Sequence, residues 1–552
     1  MTISEKYQAW LRCPSMTKEL LDQLQSMDEE AVHDSFYRNL AFGTGGLRGV
    51  LGAGTNRMNL FTVLKATQGL GEYLKEKYTS PSCAVSYDSR IHSYDFAMLA
   101  SAALAQMGVT VWLYPQLQPT PMLSFAVRYL SASAGVMITA SHNPARFNGY
   151  KVYGEDGCQI TLAAAESIQK QIDRQPDLFD ALPSFDHQLS AGRIRYIKED
   201  LIEAYYQSIL KLRVRSSEQP VHVVYSPLNG TGNIPVREML HRLGNIQVDL
   251  VSEQELPDGH FPTCPYPNPE IREAMDLAIA KTIKTQADLC FATDPDCDRM
   301  GAGVRIGQDV RLISGNDMGI LMLDFLCRHQ TEPMKLPKVV VKTIVTTEMA
   351  SALCKKYNLE LRNVLTGFKY IGEQIGFLEA AGQKERFLFG FEESYGYLSG
   401  TDVRDKDAVN AVLLLCDMAA ELKEQHKTLL DRLAELRSEF GLYVQRLLTY
   451  EYDGENGAVR MKEIMSLLRG PLAEIPDARL SVSERTDYLH DETGLPKSDV
   501  LSFFLNDTEK VIIRPSGTEP KLKAYLFTRA ESESEAKDKL DSLQRIVDQI
   551  CK

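Results

Sequence analysis

Six consecutive residues, Thr139-Ala140-Ser141-His142-Asn143-Pro144, place a hydroxyl nucleophile between an apolar strand and a helix-breaking loop. The strand is Ala134 to Ile138, and the loop runs on through Asn148 and Gly149 to Lys151. A serine alcohol is a weak nucleophile until a base or a cation activates it. Lys151, downstream of the serine, offers charge or a proton. Alone, the stretch also reads as a strand end with a turn, where Ser, Asn and Pro recur for local hydrogen-bonding reasons. Three further loops shift the balance, because each suits a different part of one phosphoryl-transfer site.

The second loop, Thr293-Asp294-Pro295-Asp296-Cys297-Asp298-Arg299, follows the strand-like run Ala287 to Ala292. Carboxylates at i, i+2 and i+4 fall on one side of an extended segment, where they repel unless a hard cation sits among them. Oxygen-only ligands suit Mg²⁺. An EF-hand fails, because its sixth position needs Gly and its twelfth Glu, and this chain has Arg299 and Arg305 there. The bland alternative is a solvated acidic turn, which Cys297 and Arg299 make odd. The third loop, Gly390 to Tyr397, follows a strand at Arg386 to Phe389 and sets Glu392, Glu393 and Ser394 among aromatics. That mixture suits sugar hydroxyls; a strand-to-helix loop with Ser394 and a Glu as caps reads equally well. Arg404-Asp405-Lys406-Asp407 adds cations nearby.

The fourth loop, Arg514-Pro515-Ser516-Gly517-Thr518-Glu519-Pro520-Lys521, follows a strand at Lys510 to Ile513. Arg offers a bidentate fork to phosphate, Ser516 and Thr518 add hydroxyls, and Gly517 lets backbone amides approach an anion. A β-turn with a surface Arg is the plainer alternative. Gly43-Thr44-Gly45-Gly46-Leu47-Arg48-Gly49 resembles a phosphate-cradling turn but lacks the Gly-Lys-Ser/Thr ending. By itself it reads as a flexible N-terminal turn, and Arg48 gains weight only from the other loops.

Alternating strands and helices must hold these loops. Ala84 to Tyr87 reads as a strand, Tyr94 to Gln106 as a helix with Ser93 as N-cap and Gly108 as stop, and Val109 to Leu113 as the next strand. That βαβ unit implies a parallel sheet covered by helices. Val221 to Tyr225, followed by Asn229-Gly230-Thr231-Gly232, repeats the pattern, as does Lys338 to Lys342 followed by Thr343 and Thr346-Thr347. The three modules are similar in pattern, not in residue identity. Polar or Pro/Gly-bearing linkers near 175–192, 213–220, 331–337 and 440–441 divide the chain into 1–212, 213–335, 336–440 and an α+β part at 441–552.

The 552 residues are 44% hydrophobic, ordinary globular material, and carry a formal net charge of −13. No long basic run suggests a nucleic-acid binder. Ten scattered cysteines without a Cys-x-x-Cys pair read as reduced thiols of a cytoplasmic protein. The N-terminus lacks an apolar signal region, and no apolar run reaches membrane-spanning length.

Taken together, the loops resemble the α-D-phosphohexomutase superfamily, the phosphoglucomutase and phosphomannomutase enzymes. The match runs in the family's order from about Gly43 to Lys523. The resemblance implies three related mixed-sheet α/β domains and a smaller C-terminal α+β domain around a central cleft. It implies that Ser141 is phosphorylated and that Asp294, Asp296 and Asp298 hold Mg²⁺ with a phosphoserine oxygen. Lys151 becomes the candidate general acid/base, Arg48 lines the reacting phosphate, and His142 joins this catalytic group. Glu392, Ser394 and Lys406, with Arg299, would meet the substrate, and Thr366, Gly367 and Lys369 lie in a loop that influences hexose choice. Arg514, Ser516, Gly517 and Thr518 would clamp the phosphate that is not reacting. Glucose 1,6-bisphosphate is the expected activator and a sugar monophosphate the expected partner; monomer and dimer stay open.

Two other classes remain to be weighed. A metal-dependent sugar-phosphate phosphatase would use the same groups, although Ser141-His142 does not read as a Ser-His pair, since neighbours on an extended strand point apart. A sugar-phosphate sensor would not need the intact Ser141, Asp trio and Lys151. Among mutases, Glu392-Glu393-Ser394-Tyr395-Gly396 resembles the glucose-handling branch, with phosphomannomutase and phosphopentomutase activity as alternatives.

Overall fold

The computed structural model describes the chain except for residues 44, 331–334, 453, 471–481, 507 and 516–520, together with the side chains of 454–456, 458 and 506. One six-stranded sheet is built from β1 (Leu47–Val50), β2 (Ser82–Tyr87), β3 (Thr110–Leu113), β4 (Ala134–Ile138), β5 (Phe147–Gly154) and β6 (Ile194–Tyr196), in the order β1-β5-β4-β2-β3-β6. Cys83, Val85 and Tyr87 join the core on one face, while Ala84 joins the core on the other. Burial of both faces explains why the strand reads as a continuous apolar run.

The second sheet holds β7 (Val221–Ser226), β8 (Ile246–Leu250), β9 (Leu289–Thr293), β10 (Met300–Ile306) and β11 (Asp309–Ile313), ordered β11-β10-β9-β7-β8. The third holds β12 (Val339–Thr343), β13 (Glu360–Val364), β14 (Phe387–Glu392) and β15 (Gly396–Ser399), ordered β13-β12-β14-β15. One path runs through all three. A strand leads through a helix (Ser93–Gln106, Asn233–Leu243 or Met349–Lys356) to a parallel neighbour. A second crossover returns to the first strand's other side, again parallel, and a tight turn then enters an antiparallel strand. The repeat that the sequence pattern only suggests is therefore plain in the topology. The sheets are mixed rather than parallel throughout, because the chain reverses after β4, β9 and β14.

Those three reversals carry the Ser141, Asp294–Arg299 and Glu392–Gly396 loops. The last sheet is antiparallel, β16 (Leu442–Glu451), β17 (Glu484–Asp487), β18 (Leu501–Asn506), β19 (Glu509–Pro515) and β20 (Lys521–Ala530), ordered β16-β20-β19-β18-β17. Arg514 lies where β19 reverses. An apolar cluster of Ile344, Val345 and Leu365 with Ile512, Tyr525 and Phe527 seats this sheet on the third unit.

Several local expectations change. Ser93 is not the N-cap; it is the first helical residue, its Oγ donates to Asp88, and His92 precedes it with φ 63°. The glycine-rich segment is not a free turn. Gly43 bridges Gly46, and β1 pairs with β5, setting Arg48 opposite Gly149. The stretch at 175–192 includes a helix, Phe185–Ser190, and Asp177 pairs with Lys65. The stretch at 213–220 is strapped down by Arg213 on Asp417 and Arg215 on Glu424. The 331–337 linker falls mostly outside the described residues.

Candidate active site

Ser141 follows β4 in a left-handed conformation, φ 51°. Its amide donates to Thr139 Oγ1 at 2.8 Å, and its Oγ donates to Asp294 Oδ2 at 2.7 Å. His142 Nδ1 lies 3.2 Å from the same Oγ. The expectation that these neighbours point apart is thus wrong, because the strand has already ended and the positive φ turns Ser141 back toward His142. Burial, with the Arg299 and Arg48 guanidiniums facing it, holds the His142 ring well below the usual histidine range. The ring is neutral at pH 7, and its tautomer decides which atom donates.

Asp294, Asp296 and Asp298 are buried, and one oxygen from each lies within 4.8 Å of the others. They are not brought together by extended alternation. Asp294 Oδ1 accepts from the amides of Asp298 and Arg299 at 3.1 and 3.0 Å, and Cys297 adopts φ 53°. The segment is a tight amide-capped turn. Burial works against charge on all three carboxyls; it raises Asp294, where the two neighbouring carboxylates add to the rise, and it raises Asp298 as well. At Asp296, Lys151 outweighs burial and the carboxyl stays low. Asp296 Oδ1 and Asp298 Oδ1 are buried without a hydrogen-bond partner among the described residues. Close carboxylates with spare, desolvated oxygens are a donor set that fits a hard divalent cation.

Two lysines balance this charge. Lys151 Nζ donates to Asp296 Oδ2 at 2.7 Å and lies 3.7 Å from Asp298. It comes from β5, opposite Met137 of β4, so the hairpin that creates the serine loop also returns the lysine to it. Lys406 Nζ is 3.1 Å from Asp298 and 3.3 Å from Asp405. Burial opposes its charge, but Asp298, Asp405 and Glu392 more than compensate and hold it protonated.

The residues of the Glu392–Gly396 loop share this field. Burial raises the Glu392 carboxyl against the pull of Lys406 and Arg299, and Ser394 hydrogen-bonds to it. Arg299 pairs with Glu270 and bridges Gly396. Arg48 Nη1 donates to Asn143 Oδ1 at 3.4 Å, on the exposed side of the serine loop. Thr366 and Gly367 precede the helix Phe368–Ala380, and Lys406 lies 5.5 Å over the Phe368 ring, which sets this loop at the edge of the site. The Thr366 hydroxyl is buried without a hydrogen-bond partner among the described residues, and burial lowers the Lys369 ammonium to about 8. Arg514 donates to Tyr525 OH at 3.2 Å, and its Nε has no partner among the described residues. Ser516, Gly517 and Thr518 lie outside the described residues.

Comparison with known proteins agrees with this arrangement. Three family models of phosphoglucomutase/phosphomannomutase match: alpha/beta/alpha domain I at residues 39–178, domain II at 202–307 and domain III at 314–440. Phosphoglucomutase of Staphylococcus aureus (strain MSSA476) is 35% identical over 545 residues, covering 96% of each chain. The chain belongs to the phosphoglucomutase/phosphomannomutase family. A second phosphoglucomutase, from Staphylococcus epidermidis (strain ATCC 12228), is 35% identical over 525 residues, 91% of this chain and 95% of that one. The crystal structure of a phosphoglucomutase/phosphomannomutase family protein from Burkholderia thailandensis superposes with a TM-score of 0.68 at 18% identity, covering 92% of this chain and 97% of that one, and so shares its fold. Among the described residues no helix is long and apolar enough to cross a membrane.

For this family member, sequence reasoning passed over residues whose roles depend on distant partners. Thr120 Oγ1 donates to Asp296 Oδ2 at 3.0 Å and its amide to the Asp296 carbonyl. Glu270 holds Arg299, and Lys523 sits near Arg514, Glu393 and Arg299, its ammonium lowered by burial and by Arg514. Glu393 is pushed up to about 7 by burial and Glu392. A threonine opening a helix at Thr120-Pro121 carries no chemical signal of its own; only its proximity to the Asp turn gives it one.

Proposed function

We propose that the chain interconverts glucose 1-phosphate and glucose 6-phosphate through a phosphoserine and a bisphosphorylated sugar. The observation that carries this reading is the 2.7 Å contact of Ser141 Oγ with Asp294, inside a cluster that Lys151 also reaches. The phosphoryl group on Ser141 Oγ passes to the free hydroxyl of the sugar monophosphate. The bisphosphate turns end for end, and its other phosphoryl group returns to Ser141.

Such transfers depend on positioning and charge neutralisation more than on covalent chemistry. A divalent cation, which we take to be Mg²⁺, would be held by Asp294, Asp296, Asp298 and an oxygen at Ser141, and supplies charge neutralisation at the transferring group. Lys151 handles the proton on the attacking or leaving oxygen. Neutral His142 orients Ser141 Oγ, and Arg48 faces the reacting phosphate from the solvent side. Glu392, Ser394, Lys406 and Arg299 contact the sugar, with Thr366, Gly367 and Lys369 at the edge that reads the hexose. Arg514, with Ser516, Gly517 and Thr518, holds the idle phosphate. Closure of the last domain excludes water, which would otherwise hydrolyse the phosphoserine. The division at 212, 335 and 440, a cytoplasmic setting, priming by glucose 1,6-bisphosphate, and a monomer or dimer that needs neither nucleic acid nor membrane complete the reading.

The test is a parallel assay with Mg²⁺ and a trace of glucose 1,6-bisphosphate, offering glucose 1-phosphate, mannose 1-phosphate and ribose 1-phosphate. Glucose 1-phosphate should give the fastest isomerisation. Preference for mannose 1-phosphate or ribose 1-phosphate would move the chain to the phosphomannomutase or phosphopentomutase branch.

A further inference from the structure

Directly behind the serine loop lies a buried cation that the mechanism above does not use. Arg90 is 3% exposed and follows β2. Its Nη1 donates to the carbonyls of Pro144 and Phe147 at 3.0 and 2.9 Å, and its Nη2 donates to the carbonyls of Ser141 and Asn143. Four carbonyls of one loop thus converge on one guanidinium. Asp88 balances the charge, with Oδ2 3.4 Å from Nε, and Asp88 Oδ1 accepts from the Arg90 amide at 2.9 Å.

The opposite side of Arg90 meets the second α/β unit. Its guanidinium lies 5.1 Å over the Phe261 ring, and its backbone bridges Gly259. A Cβ at Gly259 would come within 2.4 Å of the Ile91 nitrogen, so the approach requires glycine.

We propose that Arg90 is a positioning residue for phosphoryl transfer, fixing the curvature of the Ser141 loop and tying it to the unit that carries the Asp turn. A non-glycine residue in the left-handed region persists only when its surroundings over-determine it, and Arg90 binds the carbonyl of that very residue, Ser141. Lysine cannot replace it, because one ammonium lacks the planar fork that reaches carbonyls on two sides. Arg90 touches no reacting atom; it acts through Ser141. The inference rests on the phosphoryl-transfer reading given under Proposed function.

Arg90→Lys and Arg90→Ala are compared with the wild type on glucose 1-phosphate with Mg²⁺ and a trace of glucose 1,6-bisphosphate. Isomer and inorganic phosphate are measured together, and thermal unfolding alongside. A misplacement of about 1 Å costs roughly 100-fold in rate, so kcat should fall about 100-fold in both variants while KM stays within roughly twofold. The share of turnovers that release phosphate should rise. Guanidinium ion at non-denaturing concentration should restore part of the activity of Arg90→Ala and none of Arg90→Lys. A kcat within roughly twofold of wild type in either variant overturns the proposal. So does a loss that tracks a lowered Tm and a raised KM without response to guanidinium. If Arg90→Ala does not fold, the kcat, KM and Tm of Arg90→Lys decide. If the wild type releases phosphate but forms no isomer, the mutase reading fails, and the variant-to-wild-type ratio of phosphate release still judges Arg90.

Discussion

Ser141 and Asp294 form the contact on which the proposed chemistry turns. Ser141→Ala removes the proposed nucleophilic oxygen, so sugar-phosphate exchange should vanish. The fold should lose no more than about 1–3 kcal/mol for the unmet hydrogen bond; denaturant unfolding beside the activity assay checks both. Lys369 offers a second test. Burial lowers its ammonium from 10.5 to about 8, so it is a cation below that pH and neutral above. If its charge helps hold the sugar phosphate, kcat/KM should decline as pH rises through about 8, and Lys369→Met should abolish that decline. Residue types were legible from sequence at these positions because nucleophile, carboxylates and cations are chemically distinctive. Their conformations were not: Ser141 and Cys297 take positive φ without the glycine that would have announced it.

Two glycines set the element beneath the Asp turn. A Cβ at Gly230 would fall 2.4 Å from the Pro295 Cα, and one at Gly232 would fall 2.4 Å from the Tyr225 hydroxyl. Thr231 between them donates its amide and hydroxyl to the Pro295 carbonyl at 2.8 and 3.0 Å. The loop after β7 therefore holds the turn after β9. Gly230→Ala should push Pro295 and weaken Mg²⁺ activation about 10–100-fold, the scale seen when groups supporting metal ligands are lost. Titrating activity against Mg²⁺ checks it, and near-wild-type kcat at saturating metal is expected. Strand β4 was read at its observed limits, Ala134 to Ile138, because burial on both faces leaves a continuous apolar run. The turn that follows each such strand was read less well, since neither Thr139-Ala140-Ser141 nor Glu393-Ser394-Tyr395 carries a glycine to mark the reversal.

At the scale of the molecule, the last domain meets the third unit through a charged seam beside its apolar one. Lys342 is fully buried, with Nζ 3.3 Å from Glu348, and Lys510 Nζ, from the last domain, is 3.2 Å from the same carboxylate. Against burial, the two ammoniums hold Glu348 down to about 2. A depressed carboxyl stabilises above its unfolded value of about 4.5 and loses that contribution as pH falls toward about 2. Glu348→Gln should therefore cost about 1–3 kcal/mol near neutral pH, read by denaturant unfolding, and should flatten the acid limb of the stability profile. This seam was invisible in sequence: 162 residues separate Glu348 from Lys510, and neither belongs to a motif. The order of four motif loops, by contrast, was enough to anticipate the family, and the three of them that lie in the α/β units each sit where a strand reverses.

The central claim is that the Ser141 phosphoryl group passes to a sugar hydroxyl and not to water. The direct measurement is a single turnover of chain phosphorylated on Ser141, mixed with glucose 1-phosphate and Mg²⁺. Sugar bisphosphate should form in the amount of phosphoserine lost, without inorganic phosphate. Inorganic phosphate in that amount, with no bisphosphate, would contradict the account and make the chain a phosphatase on a mutase fold.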